Sequence, residues 1–596
     1  TTPRRFGIAS DATYSQFADR LTTISNSRPN QSAVPGTGPL SLGGRLDQVT
    51  YPVTRYDYQD DIFGTTFGTD NYINMSGGND KTSYSLSGSF LTNDGIVLPT
   101  NFTRYGLKVR VDQKISNKLK AAGGLNYVNS RSKDLPNGNN FFSPISIMFI
   151  NDNVWDANRR NAAGDLQHME FNRMNVRSPR ETFDITQTTN RIIGDIQLNY
   201  APIAGLNFTY TAGVDNYSLV GNTYQPRVAY FFNPTVSATQ QVAASAFPDG
   251  YAAIGRESFT SFNQEIVGSY VKDFLNGDLK STTTTGYSYN YQELQRYTRE
   301  GRDLQAFGQN ITAARNFFTP ETEFRGKQNI SGFFLQQAFG YKRMLFLTGA
   351  IRRDQSSAYS PNAIGQVLPR LTFAFLPSEL EGFKNSKMGN WWNTLKIRAA
   401  YGRAFVFSAV QYFERFTTYT PFSYVGGLGG FTTPLSLNNR DILPEIKNEL
   451  EFGTDLEFFK GRLNVTLNYY SQKIENLIVR VLPAPSVGGT SILSNVGTMT
   501  NKGIELLISG TIIKSKNFQW VSTINYNRNR NVVTKVTLAP GFINLNAETQ
   551  GIQQGSPFGI FNIRYYARNA NGTLLLNADG LPQVERGDAS GKPQRD

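Results

Sequence analysis

Large or apolar residues alternate with polar ones along most of this chain. Tyr84, Leu86 and Phe90 take even positions between Ser85, Ser87 and Ser89. From Tyr105 to Val111 the odd positions Tyr105, Leu107, Val109 and Val111 share a face, opposite Lys108, Arg110 and Asp112. Ile192, Ile196, Leu198 and Tyr200 oppose Asp195, Gln197 and Asn199; Leu206, Phe208, Tyr210 and Val214 oppose Asn207, Thr209 and Asp215. Ile504, Leu506, Ile508 and Ile512 repeat the pattern against Glu505, Ser509 and Thr511. A period of two puts one set of side chains on each face of a strand. Helical spacing is scarce, so the pattern predicts an all-β chain with strands of about 10–13 residues, longer than the five or six usual in soluble proteins.

The connections carry as much information as the strands. Short links at 114–118, 201–205, 274–278, 341–344, 460–461 and 514–517 alternate with long ones near 130–188, 218–261, 292–327, 404–448 and 474–500. Outer-membrane β-barrels have short periplasmic turns and long extracellular loops. Closure leaves no unpaired backbone edge in lipid, and one face of each strand meets lipid while the other meets the lumen. A soluble β-sandwich also alternates, but with shorter strands and no such rule of loop lengths. The expected fold is therefore a transmembrane antiparallel β-barrel of about sixteen visible strands, spanning 71–530, with a leading region at 1–70 and a loop region at 531–596. Tyr127, Tyr200 and Tyr217 near strand ends suit the aromatic girdles of such a barrel.

Composition removes several kinds of chemistry. The 596 residues include no Cys and one His, His168, so disulfide scaffolds, thiolate nucleophiles and multi-histidine metal centres are out. No nucleophile elbow, phosphate-binding glycine loop or H-E-x-x-H segment is present. No enzyme activity and no cofactor are expected, and His168 reads as a polar loop residue. The net charge of +13 is spread in pairs such as Arg159-Arg160 and Arg352-Arg353 rather than in a basic run, which argues against nucleic acid and towards anionic membrane surroundings, including lipopolysaccharide. No stretch reaches the roughly 20 apolar residues of a membrane helix.

Two groups stand out as candidate contacts. Lys108, Arg110, Asp112, Asn207 and Asp215 fall on the polar, lumen-facing side of their strands. Phe413, Phe416, Tyr419, Phe422 and Tyr424 precede the glycine-rich run 426–430, where aromatic faces could meet a sugar or peptide or pack within the loop itself.

Particular segments then resemble one family. Tyr58-Gln59-Asp60-Asp61-Ile62-Phe63 and the stretch from Asn71 through Gly77-Gly78-Asn79-Asp80-Lys81-Thr82 to Tyr84 resemble SusC-like TonB-dependent transporters of Bacteroidetes-type bacteria. So do Phe346 to Asp354 (FLTGAIRRD), Leu395 to Gly402 (LKIRAAYG), Asn448 to Phe458 (NELEFGTDLEF), Ser494-Asn495-Val496-Gly497, and Asn501 to Leu506 (NKGIEL). The resemblance implies an outer-membrane, multi-pass barrel of 22 strands filled by an N-terminal plug. It also implies import of a glycan or peptide oligomer, a SusD-like surface lipoprotein as lid, TonB contact through a segment ahead of the plug, and a dimer of SusCD units. No plug is recognisable here, and the run Gly591 to Asp596 reads as the middle of a loop, so the chain is expected to be an internal piece of a longer transporter. A passive plugless porin and a secreted β-rich adhesin are the alternatives.

Overall fold

The computed structural model describes residues 55–586, together with 23–25 and 48–50, apart from 139–141, 151–155, 161, 163, 165, 168–173, 227–249, 306–309, 318–321, 362–364, 366, 411, 424–428, 538–542, 546–549, 562–563 and 579. Sixteen long strands follow one another in chain order. The first eight are β1 (Gly68–Gly78), β2 (Thr82–Asp94), β3 (Asn101–Lys114), β4 (Leu119–Asp134), β5 (Asp184–Ile203), β6 (Leu206–Gln225), β7 (Tyr251–Phe274) and β8 (Leu279–Leu304). The rest are β9 (Thr322–Tyr341), β10 (Leu345–Ser356), β11 (Val367–Phe375), β12 (Trp392–Val406), β13 (Glu445–Phe458), β14 (Leu463–Val481), β15 (Ser491–Lys514) and β16 (Gln519–Val536). Each shares an antiparallel ladder with the next.

The strand order closes on itself, with β16 beside β1. Among the described residues no ladder register joins those two strands, and both carry exposed side chains on both faces. Two short strands supplement the wall: Ala314–Phe317 pairs with β8, and Ser436–Leu437 runs parallel to β15.

The alternation sorts the side chains as the fold requires. Tyr105, Leu107, Val109 and Val111 of β3 are exposed on the outer face, and Phe262, Ile266, Tyr270 and Phe274 do the same on β7. On β7 this apolar outer face stops at Phe262, 12 residues from the turn end at Phe274. A tilted strand crosses the hydrocarbon in about 9–11 residues, so the upper parts of β7 and β8, which are 24 and 26 residues long, stand in water above the membrane.

This corrects the expected strand lengths and loop limits. β6 continues to Gln225 and β7 begins at Tyr251; β8 runs to Leu304; β14 reaches Val481 and β15 starts at Ser491. The extensions of β6, β7 and β8 rise above the lipid, so no lipid-facing apolar side marks them in the sequence, whereas the ends of β14 and β15 are buried in the canopy through Leu477, Val479, Val481 and Val496.

The conventional core lies in the connections. Tyr58 and Ile62 of α1 (Tyr58–Ile62) are buried with Phe142, Ile147 and Met148 of the segment around α2 (Pro144–Ile150), and with Met174, Val176 and Phe183, which flank α3 (Ser178–Thr182). A second cluster joins Ala358, Tyr359, Val410 and Ile442 to Ile478 and Leu493; a third joins Leu477, Val479 and Val481 to Val496, Val533 and Ile552. At about 1.5–3 kcal/mol for each large apolar side chain buried, these clusters hold the long connections as a packed canopy over one end of the barrel. The ends of β14, β15 and β16 join this core through residues such as Val479, Val496 and Val533, while within the lipid band the apolar strand side chains face outward and contribute none.

A charge placed on the outer face should therefore be costly where the same charge inside is not. Leu107, 51% exposed among the β3 apolars, is expected to tolerate Arg poorly, by about 2–4 kcal/mol if it sits near the bilayer midplane, while Lys108→Gln on the same strand is expected to be near neutral. Yield of folded, heat-modifiable barrel in outer membranes would check this, and equal yields for both variants would overturn the assignment of faces.

Candidate functional site

The lumenal face is polar, and its arginines are paired with acids. Arg110 of β3 reaches Asp195 of β5 at 3.1 Å and Asp112 at 3.4 Å. Arg191 donates from Nε to Asp215 on β6 at 2.8 Å. Arg352 of β10 pairs with Asp354 at 2.7 Å and donates to the Ser288 hydroxyl on β8 at 2.9 Å. Arg398 of β12 meets Glu451 at 3.2 Å and Asp455 at 3.3 Å on β13, and donates to Asn468 Oδ1 on β14 at 2.6 Å. These are partly solvated pairs, each worth little alone. Together they line the barrel with charge that is locally balanced and well hydrated.

Glycines make room for them. A Cβ on Gly453 would lie 2.8 Å from Arg398 Cζ, and one on Gly332 would lie 1.9 Å from Asp354 Oδ1. The side chain missing at each position is the space its neighbouring ion pair occupies.

Of the five lumen candidates, Arg110 with Asp112 and Asp215 with Arg191 stand in such pairs. Asn207 donates to the Thr209 hydroxyl at 3.1 Å. Lys108 has no acidic partner among the described residues. The structure thus distributes the five around β3 and β6 rather than gathering them at one spot.

Above the lipid band a denser group forms. Glu257 of β7 accepts from the Tyr217 hydroxyl at 2.6 Å and pairs with Arg296 of β8 at 2.7 Å, while Tyr217 stacks on Phe259 at 5.4 Å. Tyr412, from the connection between β12 and β13, packs edge-on against Phe324 at 5.6 Å. Burial, followed by the nearby Glu257 charge, raises the Tyr412 phenol above its ordinary value. Beside it a cavity of about 290 Å³ is lined by Tyr291, Lys327, Tyr412, Phe413, Arg415 and Phe416 among others. Phe413 and Phe416 therefore share a cavity, with Arg415 over the Phe416 ring at 4.2 Å. Tyr419 is exposed and does not line that cavity. The side chain of Phe422 and all of Tyr424 lie outside the described residues, as does His168.

The alternation gave no hint of Glu257, Arg296 or Tyr412. The first two lie on the watery strand extensions, and the third is brought in by its loop.

Several segments picked out by resemblance turn out to be joints of the wall and canopy. Asn79 Oδ1 accepts from the N–H groups of Lys81 and Thr82, both at 2.9 Å, and so shapes the β1–β2 turn. Asn495 acts as a piece of backbone: its Oδ1 accepts from Leu443 N–H at 3.0 Å, and its Nδ2 donates to the carbonyls of Leu443 and Asn476 at 2.9 Å each. A Cβ on Gly497 would lie 2.0 Å from the Lys535 carbonyl oxygen. Asp61 of α1 lies 3.7 Å from Arg177, and Arg180 donates to the Asp61 carbonyl. Among the described residues no group of His, Asp and Glu could hold a metal ion.

An antiparallel barrel wall of sixteen long strands with an apolar belt, a polar lumen and a packed canopy is the architecture of an outer-membrane transport protein. The comparisons give it a family. Residues 45–575 match the family described as TonB dependent receptor-like, beta-barrel, and the chain belongs to that family, one of receptors and transporters rather than enzymes. The protein is accordingly a multi-pass protein of the outer membrane.

It is 26% identical over 560 residues to TonB-dependent receptor P39 of Formosa agariphila, covering 91% of this chain and 50% of that one. It is 21% identical over 519 residues to TonB-dependent receptor SusC of Bacteroides thetaiotaomicron, covering 81% and 48%. A structure of the RagAB peptide transporter superposes with a TM-score of 0.75 at 19% identity, over 90% of this chain and 60% of that one, a likeness of fold. The chain spans about half the length of the curated relatives it matches.

Two consequences can be measured. Arg398→Ala should lower barrel stability by roughly 1 kcal/mol, since its partners are partly solvated, and Gly453→Val should lower it further by displacing the guanidinium. The temperature at which folded protein loses its compact gel migration reads both, and wild-type behaviour in both would overturn the network's role.

At Asp61, burial outweighs the two arginines and raises the carboxyl above the usual range. The folded canopy then favours the protonated acid, so the contribution of Asp61 is fully present at acid pH and is lost as pH rises through the raised value. Protease protection of the canopy is expected to be similar in wild type and Asp61→Asn near pH 4, and to favour Asp61→Asn increasingly towards pH 8. The opposite trend would show that the arginines dominate.

Proposed function

We propose that this chain forms the barrel of a TonB-coupled importer of oligomeric nutrients, glycan or peptide, working with a surface lipoprotein of the SusD kind. The observation that carries the reading is the lumen: a wall of balanced, hydrated ion pairs under a packed canopy. Such a wall suits polar cargo and gives it no single strong charge to stick to. Substrate is held between the canopy and the lipoprotein lid, contacting the cavity of Phe413, Phe416, Tyr412 and Arg415. Movement of a plug driven through TonB then opens a path past the paired charges. No covalent bond is made or broken.

The names of the relatives support TonB coupling, and that of the RagAB transporter supports an oligomer as cargo. In this reading the plug, the TonB-contacting segment and about six further strands belong to the rest of the protein. Those strands would enter at the β1–β16 seam, where the exposed edges have no mutual ladder. In hydrocarbon such an edge needs a partner.

The test is uptake of fluorescent oligopeptides and oligosaccharides by cells with and without the full-length protein, with and without a protonophore. Uptake that depends on the protein and collapses with the protonophore is expected, and Phe413→Ala with Phe416→Ala should raise the half-saturating concentration severalfold. Protein-dependent uptake indifferent to the protonophore would replace the importer with a passive porin. No protein-dependent uptake of either class would overturn the reading.

A further inference from the structure

The short-turn rim is chemically uneven. The turn at 201–205 carries no charge, and in the neighbouring turns Lys342 is paired with Asp278 at 3.4 Å. Three consecutive turns, at 376–391, 459–462 and 515–518, form a ledge that differs in its side chains; the backbone bond from one turn to the next is shared with the other turns, as in Val271 N–H to the Gly205 carbonyl and Lys342 N–H to the Asp278 carbonyl at 2.8 Å each. Phe459 N–H donates to the Trp391 carbonyl at 2.7 Å, and Lys460 N–H donates to Asn393 Oδ1. Thr511 N–H donates to the Arg462 carbonyl at 2.7 Å, and the Arg462 guanidinium returns bonds to the carbonyls of Thr511 and Ile512 at 3.4 and 3.3 Å.

The lipid side of this ledge is aromatic. Trp391 stacks on Phe458 with ring centres 5.7 Å apart and planes 15° apart, and on Phe459 at 6.1 Å; Trp392 lies 5.3 Å from Phe458. Trp391, Phe459, Phe518 and Trp520 remain 43%, 52%, 57% and 51% exposed. Three of the four tryptophans in the chain, Trp391, Trp392 and Trp520, are on this arc. On or beside the same turns stand the exposed Lys387, Lys460, Lys514 and Lys516, none with an acidic partner among the described residues.

We propose that this ledge is a binding site for an anionic phospholipid of the periplasmic leaflet. Aromatic rings with one polar edge settle at the boundary between acyl chain and headgroup. Lysine stems follow the apolar surface and present their ammonium groups at the level of the phosphates. Unpaired cations favour a headgroup whose phosphate has no compensating amine, at about tenfold in occupancy for every one to two lysines close to the surface. The site is independent of cargo, lid and TonB.

The test uses the full-length protein in nanodiscs of phosphatidylcholine containing a minor share of phosphatidylglycerol, followed by mild-detergent extraction and mass spectrometry of the retained lipid. The wild type is expected to retain phosphatidylglycerol well above its bulk share. Lys460→Gln, Lys514→Gln and Lys516→Gln combined should reduce that enrichment at least about tenfold. A control with Lys114→Gln, Lys118→Gln and Lys120→Gln makes the same charge change on the β3–β4 turn, away from this aromatic ledge, and is expected to keep the enrichment. Heat-modifiable migration verifies folding in all three. Equal loss in both triples would reduce the effect to diffuse charge and overturn the site. Wild-type lipid matching the bulk composition would also overturn it, leaving the ledge open to a periplasmic protein instead.

Discussion

Everything in this molecule follows from the need to satisfy backbone N–H and C=O groups inside hydrocarbon. With no water to accept them, each must find a partner in a neighbouring strand, and the ladders from β1 to β16 supply those partners. The consequences for side chains are opposite to those in a soluble fold. Apolar residues such as Leu107 and Ile266 point outward, and charged ones such as Arg110 and Arg398 point inward. The packed apolar clusters migrate to the connections, around Ile62 and Met174 and around Val410 and Ile442, and to the strand ends beneath them, around Val496 and Val533.

How much of this was legible in the sequence depends on whether a segment lies within the lipid. There, one face must be apolar and the other polar, and period-two alternation reports the strand, its faces and its hairpin partner. Above the lipid the constraint disappears. The run from Gln292 to Leu304 continues β8 although neither of its faces needs to be apolar, so its ladder with β7 could not be read from the pattern. The short turns were located well because strands must reverse promptly at the periplasmic side, whereas the canopy folds by long-range packing that no local pattern records.

The candidate site divides along the same line. Lys108, Arg110 and Asp112 were legible as lumen-facing because they oppose Leu107, Val109 and Val111 on one strand. That Arg110 meets Asp195, 85 positions later, depends on the registers of β3, β4 and β5 together. The resembling segments were recognisable one by one, but their reason appears only when they meet: Arg398 from one segment lies between Glu451 and Asp455 of another, over the bare Cα of Gly453. Asn495 likewise reads as an ordinary polar strand residue until the carbonyls of Leu443 and Asn476 are found converging on its amide.

The distribution of charge completes the argument. A net charge of +13 in a membrane barrel raises the question of where the excess resides. Most of the lumenal arginines are matched by carboxylates, so the wall contributes little to it, and a strongly charged lumen would in any case trap a polar cargo of opposite sign. The canopy arginines near α1 and α3 are also matched, Arg160 and Arg177 both by Glu181. Unmatched lysines are found instead at short turns, and at 459–462 and 515–518 they stand on an aromatic ledge, where an ammonium group can reach phosphates while its stem stays on apolar surface. The same barrel thus keeps charge balanced where solutes must slide and unbalanced where lipid must be held.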